Sequence, residues 1–311
     1  MTQDVSNEAR DAKGKWTVGA SGGDNHAHPA GPYMSVSDAA NAPKADRVAL
    51  IAAKVAEKLD FPAHVINISD ESKTFELNGK TLPVAGWATR PAVPQKASDE
   101  PTFGVITLFT QHIGEYTRDI EGVTAHEIMH QKWNAFQNDQ RSESLKMQED
   151  PDYHKENKLV TFDPANPVHA AQKAEGNVVF DNGQIREKGF MRPDGLLNEP
   201  YASKYPAYQA YTKAMMPSLK DFAKSDGVSD YSREYWKGAW IDRTIGPDKA
   251  YHETLAEIGR LKYEGMPTYH AKLGEVEGKP VYFLQSLKKG VKPVWSTLYK
   301  AVNENWKRRS K

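Results

Sequence analysis

The stretch EGVTAHEIMHQKWNAF, residues 121–136, decides the fold that this sequence predicts. It contains His126 and His130, four residues apart, with Glu127 directly after the first histidine. On an α-helix, side chains at positions i and i+4 share one face, so both imidazoles can point at one Zn²⁺ ion. A carboxylate beside them can take a proton from a water molecule on that ion. The stretch therefore predicts a helix with a zinc site, in which His126 and His130 are ligands and Glu127 is the catalytic base.

A helix, then strands, then the helix that carries these residues is the order of elements up to this stretch, and we expect an α+β fold. Upstream, residues 45–61 have apolar side chains at helical spacing, AHVINIS and FGVITLF (residues 103–109) are typical of strands, and TFELNGKTLPVAGWATR indicates a hairpin at Asn78-Gly79. Downstream, the charged stretch after Gln137 predicts a loop, and VVFDNGQIREKGF predicts a second hairpin. We expect further helices over YPAYQAYTKAMMPSLKDFAKSDG, with an interruption at Pro217, over residues 248–265 and over VWSTLYKAVNENW.

The chain divides into an arm and one domain. The first 44 residues are rich in Gly, Ala, Pro, Ser and Asn without a sustained period, which predicts a flexible N-terminal arm. We expect a single domain over residues 45–311, with a long insert at about residues 138–228.

Composition excludes several classes of protein. The chain has 41 Lys+Arg against 41 Asp+Glu, so no net positive charge favours nucleic acid as a partner. It has no cysteine, so a metal site can draw only on His, Asp and Glu. No apolar stretch approaches the roughly 20 residues that span a membrane, and the first residues lack the apolar core of a secretory signal. We expect a protein that does not bind membranes and that is cytoplasmic, or exported or packaged without a Sec signal peptide.

A catalytic zinc site needs a third protein ligand, because three side chains usually hold the ion and water takes the fourth position. Two carboxylates are candidates, Glu253 in YHETLAEIGRL and Glu199 in NEPYAS. Pro200 follows Glu199 directly, which suits a turn or a helix start better than a helix interior. Glu253 lies in a predicted helix with Glu257 one turn later, and the adjacent His252 is a weaker alternative because it points about 100° away.

Together, HEIMH and ETLAEIGRL resemble the zincin metallopeptidases. ETLAEIGRL looks like the ExxAEaFR segment of the catalytic domain of anthrax lethal factor-like peptidases, gluzincins in which the first glutamate binds zinc. The resemblance implies that Glu253 is the third ligand and that the fold has a small twisted sheet, an active-site helix and a helical C-terminal lobe. Trp133 and Phe136 occupy the positions of the glycine and third histidine of HExxHxxGxxH, which excludes the metzincin branch.

The resemblance implies roles for further residues. Lethal-factor-like enzymes use a tyrosine in a Ser-x-Tyr context to stabilise the oxyanion, and here Tyr231 in the sequence SDY is the candidate, with Tyr235 and Tyr251 as rivals. Zincins also hold extended substrate on an edge strand before the active-site helix, which is where residues 103–109 lie. Glu257 is expected to accept a hydrogen bond from a ligand histidine and so to orient it.

The function that follows is a zinc-dependent metalloendopeptidase. A zinc-bound water activated by Glu127 would hydrolyse peptide bonds of a protein or peptide substrate, and residues 45–311 would be the catalytic domain. Two alternatives remain open. One is a zinc amidase that acts on a non-protein substrate, and the other is a non-catalytic zincin-fold component of a larger assembly such as a phage particle.

Overall fold

The computed structural model confirms an α+β fold, with long helices and several small sheets. The structure describes residues 33–35, 42–77, 80–99, 102, 104–174, 178–218, 221–222, 230–241, 243, 246–264, 272–276, 279–282 and 294–309. The helices are α1 (Ala42–Lys58), α2 (Thr117–Gln148), α3 (Pro167–Ala174), α4 (Tyr201–Lys204), α5 (Pro206–Met215), α6 (Asp230–Trp236), α7 (Pro247–Tyr263) and α8 (Val294–Arg309). The strands are β1 (Tyr33–Ser35), β2 (Ile66–Ser69), β3 (Thr74–Leu77), β4 (Lys80–Pro83), β5 (Gly86–Ala88), β6 (Ile106–Phe109), β7 (Lys158–Thr161), β8 (Gln184–Glu187), β9 (Lys272–Val276) and β10 (Lys279–Tyr282). Among the helices of these described segments, none is both long enough and apolar enough to cross a membrane.

The largest sheet has four strands in the order β1-β2-β6-β5. Strands β1, β2 and β6 run parallel, and β5 is antiparallel to β6. The prediction of a strand within residues 103–109 is confirmed, but the prediction that it is the edge strand is wrong. β6 pairs with β2 on one side and β5 on the other, and its Ile106 and Leu108 are fully buried in the core with α1 and α2. The outer strand is β5, a three-residue segment whose Trp87 is 40% exposed.

Helix α2 is the centre of the molecule. On one side, Ile120 and Ile128 pack in a core with α1 and the sheet. On the other side, Trp133 and Phe136 pack in a second core with α7 and α8. Because both sides of this helix are covered, its sequence shows no clear apolar stripe.

The loop predicted over residues 138–158 is wrong for residues 138–148, because α2 continues to Gln148, but residues 149–157 lie outside helices and strands as predicted. The charged residues of this stretch are mostly good helix formers, so their polarity did not indicate a loop. Met147 lies in a third apolar cluster with Phe190, Leu197 and Tyr201, which belong to the predicted insert. The insert therefore packs on the C-terminal end of α2.

Several local predictions are confirmed. Strands β3 and β4 pair as an antiparallel hairpin, although its Asn78-Gly79 turn lies outside the described residues. Gly183 has a φ of 73° and donates its N–H to the Phe180 carbonyl, as a tight turn requires. Two pieces of the predicted arm, β1 and the first residues of α1, are elements of the fold, and the rest of the arm lies outside the described residues.

Gly259 allows α7 to approach α2 closely. A Cβ atom at this position would lie 2.8 Å from Met129 Cβ and 2.9 Å from Met129 Cγ, closer than real carbon atoms approach each other. The close crossing is what brings the polar face of α7 against His126 and His130.

We expect Gly259→Ala to lower the free energy of unfolding by about 1–3 kcal/mol, because the new methyl group forces the two helices apart. By helix propensity alone, replacing glycine with alanine would stabilise the helix by about 1 kcal/mol. A lower free energy of unfolding would therefore report the steric clash with α2. Urea unfolding measures the change. Gly246→Ala is the matched control, since a Cβ there meets nothing within 4 Å. Equal stabilities of the two variants would contradict the close contact.

Glu143, in the C-terminal part of α2, makes the free energy of unfolding depend on pH. Burial raises the pKa of this carboxyl to about 7, although the N–H groups of Tyr208 and Ala207 bond to it and lower it. Between about pH 4.5 and about pH 7 the unfolded chain therefore loses this proton while the folded chain keeps it, so the contribution to stability falls as pH rises. We expect Glu143→Gln to gain stability relative to the parent protein over this window, as measured by urea unfolding on both sides of it. Glu149→Gln, at an exposed position, serves as control. If the free energies of unfolding of Glu143→Gln and the parent protein differ by the same amount at every pH, the raised pKa of Glu143 is contradicted.

Candidate metal centre

Helices α2 and α7 bring His126, His130 and Glu253 into one cluster. Nε2 of His126 lies 3.1 Å from Nε2 of His130. Oε2 of Glu253 lies 3.4 Å from the first of these nitrogens and 3.6 Å from the second. The three side chains are 12%, 11% and 14% exposed, respectively. Three ligand atoms thus form a nearly equilateral triangle.

The triangle fits a zinc ion. Ligands about 2.05 Å from a tetrahedral ion are about 3.3 Å apart, which is close to the three observed separations. Oε2 of Glu253 is buried and accepts no hydrogen bond, so a cation would satisfy it. Two imidazoles and a carboxylate are also a common zinc donor set. Across the described part of the chain, this is the one group of three or more His, Asp or Glu side chains close enough to hold an ion.

Glu257 fixes the orientation of His126. Nδ1 of His126 lies 3.0 Å from Oε1 of Glu257, so the Nδ1 proton is donated to the carboxylate. The lone pair then resides on Nε2, the atom that faces His130 and Glu253. Glu257 itself is 5% exposed and receives both Nε and Nη2 of Arg260 at 3.0 Å.

The charges of the cluster favour a bound cation. Burial alone would raise the pKa of Glu253, but His130 and His126 outweigh burial and leave that pKa lowered. Burial likewise opposes the charged form of His126, yet Glu253 and Glu257 raise its pKa to about 10. Two ionised carboxylates therefore hold positive charge at His126, and a proton and a metal ion compete for that position.

The carboxylate of Glu127 lies between this cluster and the edge strand. It is 6% exposed, and burial raises its pKa even though both histidines lower it. The N–H of Ala88 in β5 donates to it. A Cβ at Gly86 would lie 2.7 Å from Glu127 Cγ, so only glycine lets β5 come this close. The sequence analysis did not identify Gly86, whose role depends on a contact between distant segments.

The other candidate ligands lie elsewhere. Glu199 accepts a hydrogen bond from the N–H of Ser203 at 3.3 Å and is not part of the cluster. His252 stacks on the ring of His130 with centroids 5.6 Å apart, and its Nε2 lies 3.0 Å from Nη2 of Arg90. Burial lowers the pKa of His252 to about 3, so this ring is neutral. It supports His130, and Arg90, which the sequence analysis also missed, holds it in place.

The three candidate tyrosines are separated by their surroundings. Tyr235 and Tyr251 are buried in the apolar core that α7 and α8 share. Tyr251 packs edge-on against Phe222 and Trp236, and burial raises its pKa to about 12. Tyr231 lies in α6, and its side chain is outside the described residues. Its role in stabilising an oxyanion stays a prediction.

Comparisons of the chain with protein-family models, with curated proteins and with solved structures found no significant match. The resemblance to gluzincins therefore depends on the two short motifs and on the site that they form.

We expect Glu253→Gln to weaken Zn²⁺ binding by more than the roughly 10–100-fold that loss of an outer partner costs, because it removes the one anionic atom of the triangle. Competition with a chromophoric chelator measures the affinity. Glu199→Gln is the matched control and should bind like the parent protein. If Glu199→Gln weakens Zn²⁺ binding and Glu253→Gln does not, Glu199 is the third ligand and this account is wrong.

Proposed function

We propose that this protein is a zinc-dependent metalloendopeptidase with a zincin-like fold, of the gluzincin type in which His126, His130 and Glu253 hold the metal. One observation carries the proposal: the buried Glu127 carboxylate lies beside a metal-binding triangle and against an edge strand that can hold a peptide. A metal site alone would also suit a structural ion, but it would not need a carboxylate of raised pKa next to it.

Zn²⁺ in this triangle would polarise the scissile carbonyl and make water more acidic. Glu127 would accept a proton from the attacking water as its oxygen bonds to the carbonyl carbon. The same carboxyl would then give that proton to the amine nitrogen as the C–N bond breaks. Burial raises the pKa of Glu127, which favours the protonated carboxyl that gives the proton to the amine.

Strand β5 supports a peptide as substrate. The N–H of Thr89 donates to the Val105 carbonyl, and the Ala85 carbonyl accepts the N–H of Phe109, so these groups face β6. By the alternation of an antiparallel pair, the backbone groups of Gly86 and Ala88 point away from β6, and of these the N–H of Ala88 already donates to Glu127. An extended peptide can pair with this outer edge of β5 beside Glu127, which a substrate without a peptide backbone could not do.

Glu127→Gln should lower peptide cleavage by about 10²–10⁴-fold, because the amide cannot accept the proton. Zinc content should stay unchanged, since Glu127 is not one of the three triangle residues. Cleavage of an unbiased peptide library, with metal analysis of the same samples, measures both. Glu121→Gln on the same helix is the control and should keep activity.

Two outcomes would contradict the proposal. A parent protein that binds zinc but cleaves no peptide would favour the amidase or the non-catalytic assembly component. Cleavage that survives in Glu127→Gln would mean that another group takes the proton.

A further inference from the structure

Arg260 grips the carboxylate of Glu257 with a fork of two donors. Its Nε donates to Oε1 and its Nη2 donates to Oε2, both at 3.0 Å. Oε1 is also the atom that His126 Nδ1 contacts at 3.0 Å. A carboxylate held at both oxygens cannot rotate, so the fork determines which oxygen faces the imidazole.

The position of Arg260 follows from the close crossing of the two helices. Its side-chain carbons Cγ and Cδ pass 3.5 Å and 3.4 Å from the place where a Cβ of Gly122 would be. Gly122 is one turn before His126 on α2, so the aliphatic part of Arg260 covers α2 at that point. The guanidinium group then reaches both carboxylate oxygens of Glu257.

Burial distinguishes this pair from an ordinary ion pair on a helix surface. Glu257 is 7% exposed and Arg260 is 28% exposed, whereas exposed pairs at this spacing contribute little. Glu264, also buried, accepts from Nη1 of Arg260 at 2.9 Å and so holds the guanidinium from its other side. A buried carboxylate without a partner would be costly, so the contacts with Arg260 hold Glu257 in place.

We propose that Arg260 is a positioning residue of the metal centre. It holds Glu257 in the one orientation that receives the Nδ1 proton of His126, and through Glu257 it directs the His126 lone pair at the metal. The inference rests on the proposed zinc site. It assigns a role to Arg260, which is neither a metal ligand nor the catalytic base.

Two measurements on the full chain test the inference. One is its Zn²⁺ affinity, from chelator competition, and the other is the absorption spectrum of the Co²⁺-loaded protein. Arg260→Met keeps the length and the packing of the side chain but removes the donors, and should weaken Zn²⁺ binding about 10–100-fold and change the Co²⁺ spectrum. Arg260→Lys should recover part of the affinity, because it keeps the charge without the fork. Lys249→Met, which removes an exposed basic side chain from the same helix, is the matched control and should bind like the parent.

A double-mutant cycle separates action through Glu257 from a general loss of structure. In a Glu257→Gln background, adding Arg260→Met should change Zn²⁺ affinity little further, whereas two independent effects would add. Circular dichroism of each metal-free variant checks that it is folded. If Arg260→Met is misfolded, Arg260→Lys decides the test. Its Zn²⁺ affinity must then lie between the affinity of Glu257→Gln and that of the parent protein. Parent-like affinity and spectrum in Arg260→Met, or additive losses in the cycle, would overturn the inference alone. A parent protein that takes up no Zn²⁺ would overturn the proposed function and the inference with it.

Discussion

The close crossing of α2 and α7 is the constraint on which the rest of the structure depends. Gly259 removes the one side chain that would hold the helices apart, and Glu253 and Glu257 then reach the histidines of α2. Burying two carboxylates is costly unless positive charge is close to them. Arg260 supplies one permanent positive charge. The second positive charge would lie at the triangle of His126, His130 and Glu253, where a divalent ion fits. The same contact that builds the second core therefore also buries two carboxylates beside the two histidines.

Helix α2 carries the site because it is held on both sides. Its N-terminal half packs on the sheet and α1, and the residues after His130 pack on α7 and α8. A ligand helix with so many contacts keeps the imidazoles in place before any ion binds, which is the preorganisation that a catalytic metal requires. Strand β5 completes the arrangement from the sheet side, where the absence of a side chain at Gly86 lets its backbone touch Glu127.

The sequence could predict the parts of this site that depend on local spacing. His126, Glu127 and His130 are one turn of a helix, and Glu253 and Glu257 are one turn of another, so their relative positions followed from the helix period. The contacts of Gly86 and Arg90 could not be predicted, because each joins segments that are far apart in sequence. Arg260 follows Glu257 by three residues on one helix, so their pairing could be predicted from spacing, but the burial of the pair depends on how the helices cross. Two predictions failed for related reasons. A run of β-branched residues indicates a strand but not its place in the sheet, and a charged stretch of good helix formers can continue a helix when its few apolar residues find a partner.

The central claim is that His126, His130 and Glu253 together bind one zinc ion. Anomalous diffraction at the zinc absorption edge, from crystals of the protein supplied with Zn²⁺, tests it most directly. The account predicts a single strong peak about 2.0–2.2 Å from Nε2 of His126, Nε2 of His130 and Oε2 of Glu253. A peak at Glu199 or His252 instead, or no peak at the triangle, would contradict it.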